Sequence, residues 1–146
     1  MSEFERDLSE NVQAAEGARA ALLERLRQLS DEDLRRTRRG GWSVQEVLRH
    51  VIEAEVGYTR VIAHLRSLSL QIPDATPDDV TSMPAVIAAL ERYRRELAAA
   101  VDGVDEATFY EVRALGREQY SVMSVLENVA DHDHEHLGQI AKTVGA

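Results

Sequence analysis

Three histidines near the end of the chain have the spacing of metal ligands. His132, His134 and His136 alternate with acidic residues in "DHDHEHLGQI", residues 131–140. At 100° per residue, a helix places His136 at about 320° and His132 at about 280°, where the apolar centre lies near 350°. His134 falls at about 120°, on the outer side. The segment therefore predicts an inward histidine pair one turn apart and a third histidine in solvent.

A histidine pair at positions i and i+4 can reach one metal ion, but a stable site needs a further ligand. His50, on an earlier predicted helix, lies about 90° from the centre of its apolar stripe, where a neighbouring helix packs. His64 lies about 21 Å further along that helix and is too distant. His50, His132 and His136 are therefore the candidate metal ligands. A histidine beside an apolar stripe is also common as a structural residue, and this alternative stays open.

Three neutral imidazoles with one open position suit zinc, nickel or ferrous iron. Water or a substrate thiol in the open position would have a lowered pKa and act as a nucleophile. Glu53 and Asp133 are predicted to accept hydrogen bonds from the ligand imidazoles. A di-metal carboxylate centre would require Glu-x-x-His motifs, and the sequence contains none.

Four stretches with the apolar periodicity of amphipathic helices must position these residues. Ser43 begins the helix that carries His50, and "SVQE" (residues 43–46) is a capping box. Pro84 lies in the first turn of another helix, where its missing N–H costs nothing. The predicted helices cover residues 3–29, 43–67, 82 to the end of the apolar stripe at 101, and 121–144.

The order of these helices predicts an all-α fold. Residues 68–82 contain Pro73 and Pro77 and cannot form a long helix. Four long amphipathic helices with one long connection predict a four-helix bundle, which we expect to form a single domain over residues 1–146. "TFYEVRA" (residues 108–114) alternates weakly but has no obvious pairing partner, so no strand is predicted.

The two histidine-bearing helices begin alike. In "GGWSVQEVLRHVIEAE" and "REQYSVMSVLENVADHDHE", an aromatic residue precedes Ser-Val and a helix with a histidine follows. Trp42 and Tyr120 occupy the place of a hydrophobic staple residue, so a shared way of starting a helix explains the similarity. Four aromatic side chains could line a pocket or pack in the core: Trp42, Tyr58, Tyr93 and Phe109.

Composition narrows the class of protein. The formal net charge of −9 argues against nucleic acid as a partner. The chain has no cysteine, which excludes disulfides and thiolate metal ligands. We see no signal peptide and no membrane-spanning segment, and we expect a cytoplasmic protein without membrane contact.

The segments "WSVQEVLRHV" (residues 42–51) and "VLENVADHDHEHLGQI" (residues 125–140) resemble the DinB-like, or DinB/YfiT, superfamily of metal-binding proteins. The resemblance covers nearly the whole chain. It implies a four-helix bundle with a long crossover, often a homodimer. It also implies a divalent-metal triad at His50, His132 and His136. Members include transferases that use bacillithiol, mycothiol or glutathione, and a mycothiol-dependent isomerase that has an additional C-terminal domain.

Two main functions follow from the residues and the resemblance. The first is a divalent-metal-dependent enzyme, a thiol-dependent S-transferase in which zinc, nickel or iron binds the cofactor thiol as thiolate. The alternative is a non-catalytic metal- or small-ligand-binding stress protein. A third hypothesis is a dimeric scaffold whose histidines have lost their role. The residues alone assign no catalytic base.

Overall fold

The computed structural model describes residues 1–145 and confirms the all-α four-helix bundle. Four long helices form it, and two 3₁₀ helices, one short helix and a small hairpin connect them. Within the described residues, no helix has the length and apolar character needed to cross a membrane. The elements are α1 (Glu3–Arg27), a 3₁₀ helix (Asp31–Arg35), α2 (Val44–Leu65), a 3₁₀ helix (Pro77–Val80), α3 (Met83–Val101), α4 (Glu106–Tyr110), β1 (Arg113–Leu115), β2 (Glu118–Tyr120) and α5 (Val122–Val144).

The predicted helix starts are confirmed by their capping groups. The hydroxyl of Ser43 accepts a hydrogen bond from the backbone N–H of Glu46 at 3.1 Å. The backbone N–H of Ser43 donates to the Glu46 carboxylate at 3.0 Å, which completes the capping box. Ser121 forms the same reciprocal pair with Ser124 at 3.0 Å. These caps satisfy backbone donors that a helix start leaves without partners, and they fix where α2 and α5 begin.

The long connection after α2 returns the chain along the bundle, so α2 and α3 are parallel. At the N-terminal ends of these helices, the Gln45 side chain donates to the carbonyl of Val80 at 2.7 Å. At their C-terminal ends, Arg66 donates to the carbonyl of Ala100 at 2.7 Å. The predicted crossover is therefore confirmed, and α5 packs against both α1 and α2.

The expectation of no strands is wrong. Residues 113–115 pair antiparallel with residues 118–120, and Gly116, with φ of +65°, lies in the two-residue turn between them. Strands of three residues are too short to show an alternating pattern, and a glycine supplies the left-handed backbone that tight hairpin turns require. The hairpin leads directly into Ser121, the residue that caps α5.

Buried charged side chains divide the apolar core into two clusters. One cluster lies around Leu48 and Leu90, and the other around Ile62, Phe109 and Leu126. Between them each long helix contributes a charged residue: Arg19, Glu55, Arg94 and Asp133.

Candidate metal centre

The structure brings the three predicted ligands together between α2 and α5. The Nε2 atom of His132 lies 2.9 Å from Nε2 of His50 and 2.9 Å from Nε2 of His136. One ligand atom from each residue lies within 4.8 Å of the other two. His64 and His134 are exposed and lie outside this cluster, as the helical positions predicted.

The geometry of the three ring nitrogens fits a metal ion. A ring nitrogen offers either one hydrogen or one lone pair, so Nε2 of His132 cannot form two full hydrogen bonds to its two neighbours. A metal ion accepts a lone pair from each ring. The ligand nitrogens of a tetrahedral zinc site lie about 3.3 Å apart, so small ring movements would convert this arrangement into a bound site.

Gln139 orients one of the rings, and sequence reasoning missed it. Nδ1 of His136 donates to Oε1 of Gln139 at 2.7 Å. Because an amide oxygen can only accept, this bond puts the proton on Nδ1 and leaves the Nε2 lone pair free. The signal was the spacing of three residues between His136 and Gln139, which lie on adjacent turns of one helix.

Glu53 and Asp133 do not hydrogen-bond a histidine within the described residues. Glu53 accepts from Arg49 at 3.0 Å on the surface. The Asp133 carboxylate is buried and accepts from Arg19 at 2.9 Å and from Arg94 at 3.1 Å. Asp133 lies on the core side of α5, where Arg19 of α1 and Arg94 of α3 donate to its carboxylate.

Burial keeps two of the candidate ligands neutral at pH 7. Burial, together with the charges of His136 and His50, lowers the pKa of His132 to about 4. Burial and the charge of His136 also lower the pKa of His50. A neutral imidazole is the form that binds a metal ion, so the site is prepared for binding before the ion arrives.

We expect the metal-free protein to lose stability as the pH falls from about 6.5 towards 4, partly because of His132. The unfolded chain protonates this histidine near its ordinary pKa of about 6.5, whereas the folded protein does so only near a pKa of about 4. Between these values the unfolded state binds more protons, so unfolding becomes easier as the pH is lowered. Urea unfolding of chelator-treated protein at pH 7 and pH 5 measures this loss. The His132→Asn protein should lose less stability over the same range, and an equal loss would contradict the prediction.

Two aromatic rings flank the histidines that are only half-buried. Trp42 is 48% exposed, and its ring centroid lies 5.5 Å from that of His50. The Tyr58 ring contacts His132 at a centroid distance of 5.9 Å. Of the other aromatic candidates, Tyr93 is in the core with its hydroxyl on Asp79, and Phe109 is fully buried. Trp42 and Tyr58 therefore belong to the site.

The contact between Trp42 and His50 gives a direct test of metal binding. Trp42 is the only tryptophan of the chain, so its fluorescence reports on this location alone. We expect Ni²⁺ or Cu²⁺, which quench nearby fluorophores, to lower this emission until the ion reaches one equivalent. His50→Ala should abolish the saturable quenching, and His134→Ala should keep it. Equal quenching in all three proteins would show that the ions bind elsewhere.

Comparisons with known proteins place the chain in a family. The DinB superfamily model matches residues 14–140. The chain belongs to the DinB superfamily. It is also similar to the crystal structure of TT2238, a four-helix bundle protein, with 26% identity and a TM-score of 0.70. The match covers 92% of this chain and 98% of that one. A comparison with curated proteins gives no significant match.

Proposed function

We propose that His50, His132 and His136 bind one divalent metal ion. We further propose that the protein is a thiol-dependent S-transferase that requires this ion. The observation that supports metal binding is the convergence of three Nε2 atoms, with both contacts at 2.9 Å. Zinc, nickel and ferrous iron all accept imidazole ligands. Membership of the DinB superfamily supports a thiol as co-substrate, since members of this superfamily include transferases that use low-molecular-weight thiols.

The side chains around the triad suit this chemistry. His136 is buried, whereas His50 and His132 are half-buried, so solvent and small molecules can reach the triad from the side of these two residues. When bound, a divalent ion lowers the pKa of a coordinated thiol and supplies a thiolate at neutral pH. An open groove beside His50, lined also by Trp42 and Glu46, can hold the rest of a thiol or its electrophile.

Metal content tests the first half of the proposal. We expect about one divalent ion per chain in the wild-type protein by elemental mass spectrometry. His132→Ala should lose it. His134→Ala is the matched control, because it removes an exposed histidine from the same helix and should keep the ion. A wild-type protein that stays empty after incubation with zinc and with nickel refutes the proposal.

Thiol-dependent turnover tests the second half. The metal-loaded protein is mixed with a chromogenic electrophile and either mycothiol, bacillithiol or glutathione. We expect conjugation with at least one thiol, and its loss in His132→Ala. Loss of the reaction after chelation, with recovery on adding the metal, would link the activity to the ion.

A non-catalytic metal- or ligand-binding protein is the alternative that one observation favours. Within residues 1–145, no carboxylate hydrogen-bonds a histidine of the triad, because Glu53 pairs with Arg49 and Asp133 with the buried arginines. This alternative predicts one bound ion and a thermal shift with thiols, but no conjugation in the same assay.

A further inference from the structure

Four buried charges, which we call the ionic cluster, join the long helices at mid-height. They are Arg19 of α1, Glu55 of α2, Arg94 of α3 and Asp133 of α5. Their side chains are 5%, 3%, 13% and 2% exposed, respectively. Two positive and two negative groups make the cluster neutral overall.

Each arginine of the cluster forms a pair of short hydrogen bonds to one carboxylate and also donates to the other. Arg19 donates to Asp133 through Nε at 2.9 Å and Nη2 at 3.1 Å, and its Nη2 lies 3.2 Å from Glu55. Arg94 donates to Glu55 through Nε at 2.6 Å and Nη2 at 3.1 Å, and to Asp133 at 3.1 Å. Paired bonds of this kind fix both distance and orientation.

The contacts of the ionic cluster follow an approximate two-fold symmetry. Arg19 donates to the carbonyl of Leu90 on α3, and Arg94 donates to the carbonyl of Ala15 on α1, both at 3.0 Å. Each of these carbonyls lies four residues before the arginine of its own helix. Glu55 and Asp133 each lie twelve residues after the serine that caps their helix. The similar helix starts seen in the sequence therefore continue into the cluster.

The two carboxylates of the ionic cluster belong to the helices that carry the histidines. Glu55 follows His50 by five residues on α2, and Asp133 lies between His132 and His136 on α5. Without the arginines, two buried negative charges would push these helices apart beside the triad. Apolar side chains of similar volume would stabilise the core as well as a buried ionic group does. Stability alone therefore does not explain why the cluster is charged.

We propose that Arg19 and Arg94 are positioning residues, which set the separation of α2 and α5 at which the three imidazoles converge. This inference rests on the proposed metal site. It adds that metal affinity depends on side chains that touch neither the ion nor a histidine. A site that must hold its ligands to within about half an ångström needs such support from outside the ligand set.

Metal affinity separates positioning from general support of the fold. Affinity for Co²⁺ is measured by competition with a chromophoric chelator, and the visible spectrum of the bound ion reports its geometry. We expect Arg94→Gln to weaken binding at least tenfold and to alter the spectrum. Adding Glu55→Gln removes the carboxylate that lost its paired bonds but does not restore those bonds, so we expect the double variant to regain stability and to bind Co²⁺ as weakly as Arg94→Gln.

Asp79→Asn is the control for a buried polar contact whose side-chain partners lie on α3 and not on the helices that carry the histidines. Asp79 accepts from Tyr93 at 2.9 Å and Arg92 at 2.8 Å, so its loss should lower stability and leave Co²⁺ affinity unchanged. If Arg94→Gln does not fold, Arg94→Lys keeps the charge without the paired bonds and should still weaken binding. If the wild-type protein binds one ion and a folded Arg94 variant has the same Co²⁺ affinity, the inference is overturned but the proposed metal site is not. A wild-type protein that binds no ion overturns the proposed function and the inference with it.

Discussion

We expect zinc to raise the melting temperature (Tm) of the wild-type protein and to leave that of His136→Ala unchanged. An ion that binds only the folded state, at a concentration one hundred times its Kd, stabilises that state by about 2.7 kcal/mol. For a chain of this size, this corresponds to a rise in Tm of roughly 5–10 °C. Differential scanning calorimetry of chelator-treated protein, with and without zinc, measures the shift.

The exposed histidine of the same segment provides the control for this shift. His134→Ala keeps all three triad residues and should show the full zinc-dependent rise in Tm. His136→Ala removes a ring whose Nε2 lies 2.9 Å from Nε2 of His132 and whose Nδ1 is hydrogen-bonded to Gln139. A rise in Tm that persists in His136→Ala would mean that zinc stabilises the protein from another location.

We expect Arg19→Met to lower the free energy of unfolding by about 3–5 kcal/mol, the range for breaking a buried ion pair by removing one partner. The substitution leaves Glu55 and Asp133 buried with only Arg94 between them. It also removes the donor to the carbonyl of Leu90. Because small proteins have only about 5–15 kcal/mol of stability, this loss is a large fraction of the total. Urea unfolding of the metal-free protein gives the difference.

An exposed arginine of the same helix makes a matched comparison. Arg27 pairs with Glu91 at 3.5 Å, with side chains that are 52% and 44% exposed. Solvent and salt screen such a pair, so Arg27→Met should change stability by less than about 1 kcal/mol. If Arg19→Met and Arg27→Met lose similar amounts of unfolding free energy, burial does not strengthen the contacts of Arg19.

Local patterns were enough to predict the bundle and the histidine pair. The spacing of apolar residues predicted the four long helices, and the serine caps predicted where α2 and α5 begin. The i, i+4 spacing placed His132 and His136 on one face and His134 on the other. These features depend on residues within one or two turns of each other, so they can be read along the chain.

Very short elements and contacts between distant residues leave weaker signals along the chain. The hairpin of residues 113–120 is too brief for periodicity, and Gln139 was passed over although it lies three residues from His136. The sequence predicts a histidine partner for Asp133, but Arg19, 114 residues away in the chain, donates to its carboxylate.

The sequence by itself therefore determined the helices, the family resemblance and the identity of the candidate ligands. Only the tertiary structure decided that His50 meets His132, across 82 residues of chain, and that four buried charges neutralise each other beside them. The physical reason is that a helix fixes the direction of a side chain relative to its own axis. Which partner that side chain meets depends on how the helices pack, and burial then requires every charge to find an opposite one.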